Sequence, residues 1–432
     1  MKIRISRSPY AWIVTGLIFY AYMTTFQTVI WGSRMGGAIF VIVLVFLGSV
    51  LRLYKGFRIS VDGRLFWYIL ALYSLIGNQD LAHDTETRWI LPMAGILMLF
   101  ILSNHSSWQH VFIKSVRFFT GIHAFFTIFF YVFKELYLNH FVKLVPGAGE
   151  YLIGKFKDGC MPGITGHYSM NGIYLGIGLV FFVYDLLTNN KLIINSHFRK
   201  EAVKAFFVLL ALLLTTKRAH ILFGMISCFA IYYVFHSNQK IRRWFYIIGS
   251  GLGLGLLVIA LIPFVPAVSR MIHRFLYADG GEITNGRIWF WEFALEKFYE
   301  SPMVGIGWGG FKHAYYQRIG TYSSTSIFVD THNVYLQVLC EQGLAGFLLF
   351  AGAIVSIFIK TWNLIKAARI GKLPYMDIAS QKLLSISLGI QAFFIMYCFT
   401  GNCLYDCEFF FVYIICCALP YDQRIHGSSG NP

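Results

Sequence analysis

Apolar runs of membrane-crossing length recur from one end of the chain to the other. They fall at 10–31, 36–53, 65–78, 89–103, 112–134, 168–187, 202–216, 219–235, 244–266, 334–359, 382–399 and 408–421. A helix needs roughly 17–25 apolar residues to cross a bilayer core. Inside that core every backbone polar group must be satisfied by the segment itself. The runs therefore predict an all-α polytopic membrane protein of about 12 transmembrane helices. Composition agrees: 57% of the 432 residues are hydrophobic and 13% charged, where a soluble domain is about a quarter charged.

The spacing of cations orients the runs. With the first segment inside, the inner segments hold Lys2, Arg4 and Arg7, then Arg52, Lys55, Arg58 and Arg64, then Lys191, Arg199, Lys200 and Lys204. Further on they hold Lys240, Arg242, Arg243, Lys360, Lys366, Arg369, Lys372 and Arg424. The short outer loops carry only Arg34, Arg88 and the Lys217–Arg218 pair. By the positive-inside rule both termini are expected in the cytoplasm. The organisation expected is nine spans in 1–266, an extracytoplasmic loop with amphipathic helices in 267–333, and three spans with a cytoplasmic tail in 334–432. The opening "MKIRISRSPYAWIVTGLIFYAYMTTFQTVIW" resembles a signal peptide, but its apolar part is too long and no small-x-small site follows. It is read as a retained helix.

Two long outer segments, 135–167 and 267–333, carry cations on the side that usually avoids them, Arg270, Arg274, Arg287 and Lys155 among them. Long translocated loops escape the rule, so a solvated basic surface is one reading. The other is an anionic partner at the outer face, held by Arg forks. A lipid phosphate or diphosphate fits that location; a nucleic acid does not. The eight cysteines lie mostly in or beside apolar runs and read as small apolar residues. Cys403 and Cys407 flank a short loop and could bridge, but no metal spacing is visible. "GSGLGLGLL" (Gly249 to Leu257) offers small-residue pairs for close helix packing.

Four polar sites near the outer face need a reason. In "LLLTTKRAHILFGM", Lys217 and Arg218 interrupt more than thirty apolar residues. Charge at membrane depth is costly and marks function by default, although a basic turn snorkelling to water is the alternative. In "TNGRIWFWEFALEKFYESPMVGIGWGGF", Thr284 or Asn285 can cap a helix from about Arg287 to Tyr299. Arg287 then opposes the helix dipole, while an anion docked there would meet both Arg287 and free backbone N–H groups. A plain amphipathic loop helix is the alternative. "GIGWGG" (Gly305 to Gly310) reads as a tight glycine turn; no strand precedes it, so a dinucleotide fingerprint fails its context. In "THNVYLQVLCEQGLAG", His332 opens an apolar run that carries Gln337 and Glu341 inside it. A neutral imidazole there can take a proton from a sugar hydroxyl, or it can serve as a cap. In "GITGHYSMNGIYLG", His167 stands at a glycine-rich helix entry.

Together these stretches resemble one family. An Arg after a short apolar helix ("TTKRA") is followed by "GR-x-x-x-W-E", by "SP-x-x-GIG-x-G-x-F", and by "HN-x-YLQ-x-x-x-E-x-G-x-x-G". That order is similar to the O-antigen ligase and polysaccharide polymerase superfamily of bacterial cell envelopes. The resemblance implies a GT-C-like glycosyltransferase in the inner membrane, with its site on the outer face. It implies an undecaprenyl-diphosphate-linked oligosaccharide donor, inversion at the anomeric carbon, and no metal or other cofactor. Carried over by position, Arg218 and Arg287 would hold the diphosphate with Lys217 and Arg274, and His332 would serve the acceptor hydroxyl. Asn333 and His167 would touch the glycan or diphosphate. The acceptor would be a lipid-linked repeat unit for a polymerase or lipid A–core for a ligase. A chain-length regulator, a flippase and membrane lipids are expected partners. Abundant Phe and Tyr, the glycine turn and "HNVYLQVLCEQG" favour the polymerase. A lipid-linked glycan transporter is the alternative of another class; transporters place polar breaks near the bilayer midplane, whereas these polar sites gather at one face.

Overall fold

The computed structural model describes residues 8–54, 56, 61–75, 85–105, 107–145, 147, 149–189, 196–264, 269, 272, 286–319 and 330–422. Every α or 3-10 element among them is helical, and no strand occurs among the described residues. In chain order the α-helices are α1 (Pro9–Tyr22), α2 (Gln27–Trp31), α3 (Arg34–Tyr54), α4 (Arg64–Tyr73), α5 (Thr85–Leu102) and α6 (Gln109–Val132). Then come α7 (Lys134–Asn139), α8 (Gly149–Lys157), α9 (Tyr168–Leu187), α10 (Ser196–Leu214), α11 (Arg218–Phe235) and α12 (Lys240–Leu261). The last are α13 (Arg287–Glu300), α14 (Gly310–Ile319), α15 (Val334–Arg369), α16 (Ile378–Tyr397) and α17 (Cys407–Ala418).

A helix lies under each of the twelve apolar runs, and the described helices differ in length and apolarity. Among the described residues, α3, α6, α9, α11, α15 and α16 are long and apolar enough to span a membrane. The first run is a bent pair, α1 with the turn and helix of Thr24–Trp31, broken by 75°. The helices of α4, α5, α12 and α17 have shorter apolar stretches. This is a multi-pass membrane protein. The shorter α17 sits at the centre of the bundle. Phe409 to Ala418 are 0–1% exposed, so this helix is apolar all round because protein, not lipid, surrounds it. It packs on α1, α5 and α16, with Tyr413 stacked on Phe394 at 3.7 Å.

The other interfaces set α10 and α11 against α9, α11 against α16, α15 against α4 and α16, and α1 against α3 and α6. One end of the bundle is tied by charge. Asp185 takes Arg117 at 3.3 Å and Lys382 at 3.0 Å, and Arg117 also reaches Glu201 at 3.4 Å. That network joins α6, α9, α10 and α16 where the sequence places the inner face. Among the described residues, nothing beyond the helix's own backbone lies within 4 Å of where a Cβ would sit on Gly249, Gly251, Gly253 or Gly255 of α12. All eight cysteines are free thiols. Cys403 faces Cys398, with sulfurs 3.1 Å apart.

Candidate functional site

The cationic interruption at Lys217 is a true break between two helices, as the sequence predicts. Thr216 takes a left-handed φ of 57°, a costly conformation for a β-branched residue that tends to mark functional segments. The neighbouring chain fixes it: Met161 N–H donates to Leu214 O at 3.1 Å, and the Cys160 sulfur lies 3.0 Å from the Thr216 hydroxyl. Lys217 is the N-cap position of α11. Its ammonium sits over the Tyr168 ring at 4.3 Å.

The helix of Arg287 begins where the sequence puts it, but its N-cap is Gly286, at φ 76° and without a side-chain cap. Thr284 and Asn285, the expected caps, lie outside the described residues. Arg287 occupies the first helical position, and its Nη1 donates to Thr400 O at 3.0 Å. Burial lowers its pKa, yet a guanidinium stays charged. Beyond α13 the glycine turn docks on α15. That helix breaks at Gly343, whose φ of 61° and ψ of −168° suit glycine alone. The broken ladder is completed across the interface. Cys340 O and Glu341 O accept from Ile306 and Gly307 N–H at 3.1 and 2.9 Å, while Leu344 N–H donates to Pro302 O at 2.8 Å. A Cβ on Gly305 would come 2.4 Å from the Glu341 carbonyl carbon. The "SP-x-x-GIG" and "E-x-G" stretches are therefore two halves of one clamp, which anchors α13 to α15.

His332 stands two residues before α15 at φ 52°. Asn333 is the cap: its side chain accepts from Leu336 N–H at 3.2 Å. The preceding turn hangs on polar residues buried in α15. Gln337 Oε1 accepts from Thr331 N–H at 3.1 Å, and Gln337 Nε2 donates to Asp330 at 3.2 Å and to Glu341 at 3.0 Å. Trp291 of α13 donates its indole N–H to Thr331 O at 2.9 Å. The polar groups inside the apolar run thus hold the loop that presents the imidazole. Burial first, then the nearby Arg287, holds His332 down to about 4, against an upward pull from Asp330. The imidazole is neutral at neutral pH.

These residues face one cavity of about 700 Å³. Its walls include Lys217, Arg287, His332, His167, Asp330, Asn402, Asp406 and Glu408. The N-terminal residues of α9, α11, α13 and α17, and the turn leading into α15, all contribute. Each helix N-terminus carries partial positive charge and spare N–H groups. They converge with Lys217 and Arg287 at one end of the bundle, an arrangement with the chemistry to receive an anion. The charge network of Asp185 and Arg117 lies at the opposite ends of α6, α9 and α16. Asp406 and Glu408 bring carboxyl groups to the same cavity, which Thr24, Gln27 and Arg34 also line. Among the described residues no cluster of His, Cys, Asp and Glu is arranged to hold a metal ion.

The structure brings Lys217, Arg287, His332 and His167 together on this cavity. Arg218, one position further along α11, is half-buried and is not part of its wall. Asn333 acts as a helix cap rather than as cavity wall, and Arg274 lies outside the described residues. His167 is also a cap: its Nδ1 accepts from Ser169 N–H at 3.1 Å, and Nε2 is 2.6 Å from the Tyr151 hydroxyl. Sequence reading missed His220, Asp330, Asn402, Tyr405 and Glu408. Glu408, an acid opening the last apolar run, carried the signal of charge at membrane depth. Asn402 and Tyr405 carried none.

Comparison with curated proteins returned no match. Residues 204–351 match the family model described as O-antigen ligase. That segment runs from α10 into α15 and includes the break at Lys217, the helix of Arg287, the glycine clamp and His332. Over that segment the chain is similar to the O-antigen ligase family, and its helices make it a multi-pass membrane protein.

Proposed function

We propose that this chain is an inverting, metal-independent membrane glycosyltransferase. It passes a glycan from undecaprenyl diphosphate to an acceptor hydroxyl, and the acceptor we favour is a second lipid-linked repeat unit, which makes it a polysaccharide polymerase. The observation that carries this reading is the cavity in which Lys217, Arg287 and several helix N-termini surround a neutral His332. In the step envisaged, the acceptor oxygen attacks the anomeric carbon and the bond to the diphosphate oxygen breaks. The acceptor proton goes to the His332 imidazole, and the diphosphate leaves with the bonding pair. Arg287, Lys217 and the helix ends meet the charge that grows on the leaving group, the pre-set donors such a step requires. Proton removal by a positioned base contributes roughly 10²–10⁴ in rate.

On this reading the cavity opens at the outer face of the inner membrane, the termini are cytoplasmic, and GT-C-like spans number twelve. The description of the matched family favours a second reading, in which the acceptor is lipid A–core. Purified protein in nanodiscs with the lipid-diphosphate-linked repeat unit as sole substrate separates the two. A ladder of longer glycans on the lipid is expected. Transfer only after lipid A–core is added would establish a ligase. Inertness in both conditions, with a folded protein, would overturn glycosyl transfer and favour a transporter.

A further inference from the structure

We propose that the short loop between α16 and α17 is the positioning element that sets His332 against Arg287, with Asn402 and Tyr405 as its positioning residues. This rests on reading the cavity as the site of transfer. The loop touches both arms of the site within a few residues. Cys398 O accepts from Val334 N–H at 2.8 Å, which fixes the start of α15. Thr400 O accepts from Arg287 at 3.0 Å. Asn402 Nδ2 donates to Asp330 Oδ2 at 3.2 Å and lies 3.5 Å from His332 Nδ1. The Tyr405 hydroxyl donates to Glu341 Oε2.

The contacts form a continuous chain from Tyr405 to Glu341, Gln337, Asp330 and Asn402, and so to His332. Asp330, Gln337 and Glu341 are 2%, 1% and 0% exposed. Buried polar groups of this kind are costly to leave unpaired and hold strongly where they are paired. Both oxygens of each carboxylate are: Asp330 takes Gln337 and Asn402, and Glu341 takes Gln337 and the Phe311 N–H on one oxygen and Tyr405 on the other. Of these groups, Asn402 Oδ1 alone stays buried without a partner; the paired carboxylates account for the left-handed backbone of His332, a conformation that persists only when its surroundings over-determine it. The loop is closed on itself by Tyr397, which donates to Asp406 at 2.9 Å, and by Asp406 N–H, which donates to Asn402 O at 2.8 Å. Because one loop carries the carbonyl that holds Arg287 and the amide that holds Asp330, cation and imidazole keep a fixed separation.

Tyr405→Phe and Asn402→Ala test this in the full-length protein in nanodiscs. Tyr405→Phe keeps the ring that meets Trp308 edge-on at 5.6 Å. The first readout is the ¹⁵N signal of the His332 ring in histidine-labelled protein, assigned by its loss in His332→Gln. The second is the split between kcat and donor KM for the lipid-diphosphate-linked glycan. Both variants are expected to shift the His332 signal and to lower kcat by about 100-fold, the cost of roughly 1 Å of misplacement, with donor KM unchanged. Ser387→Ala, which removes a buried hydroxyl bond to Cys416 O elsewhere on α16, should move neither readout. An unmoved ring signal with wild-type kcat in Tyr405→Phe would overturn the inference, and that variant alone decides should Asn402→Ala fail to fold. A shifted ring signal in a protein that transfers no glycan at all would uphold the positioning role and sink the transfer reading instead.

Discussion

His167 and His332 each stand at the mouth of an apolar helix, line the same cavity, and are each held down to about 4 chiefly by burial. Their surroundings put them to different uses. His167 is itself the N-cap of α9, so Nδ1 must be the acceptor for Ser169 N–H, and Nε2 meets Tyr151. Both nitrogens are committed. At α15 the capping task passes to Asn333, and a left-handed backbone turns His332 out of the helix path. The comparison teaches that an imidazole gains chemical freedom at a helix entry when the adjacent residue takes over the cap.

The sharpest way to break this distinction is His332→Ala. We expect a loss of about 10²–10⁴ in kcat, the span of general acid–base contributions, with the protein still inserted and folded. Normal long-chain product from this variant would remove the imidazole from the mechanism.

The pH profile sharpens it further. The folded pKa of His332 lies below the ordinary imidazole value of 6.5, so the folded state disfavours the proton and the neutral base persists as pH falls. The stability this contributes is present above the unfolded value and is lost as pH drops through about 6.5 toward about 4. Transfer is accordingly expected to stay flat through neutral pH and to fall on an acid limb near about 4. Measured kcat against pH in nanodiscs checks it; a limb at about 6.5 would mean that His332 titrates as an exposed imidazole.

Much of this was legible in the sequence. Every apolar run holds a helix, the TKR break falls where charge interrupts hydropathy, and Arg287 and His332 announce themselves as a cation at a helix start and an imidazole at a span mouth. What escaped did so for identifiable reasons. Lys217 and Arg218 are neighbours, and only packing decides which of two adjacent side chains faces a cavity. The break at Gly343 lies within an unbroken apolar run, and its cause is a second segment, Pro302–Gly307, far away in sequence. That protein surrounds α17 on every side was not legible, because burial in protein and burial in lipid ask for the same residues. Asn402 and Tyr405 are ordinary loop residues whose roles exist only through Asp330 and Glu341.

The smallest effect tests the other histidine. His167→Ala removes a cap and the contact with Tyr151, and a lost N-cap costs about 0.5–2 kcal/mol. A modest drop in the unfolding midpoint is therefore expected, read by intrinsic fluorescence during thermal or denaturant unfolding in detergent. Because both ring nitrogens are already occupied, kcat should change far less than in His332→Ala. The two measurements must part company for the comparison to stand. If His167→Ala abolishes transfer while leaving the unfolding midpoint where it was, His167 meets the substrate directly, and the cap that now accounts for it is incidental.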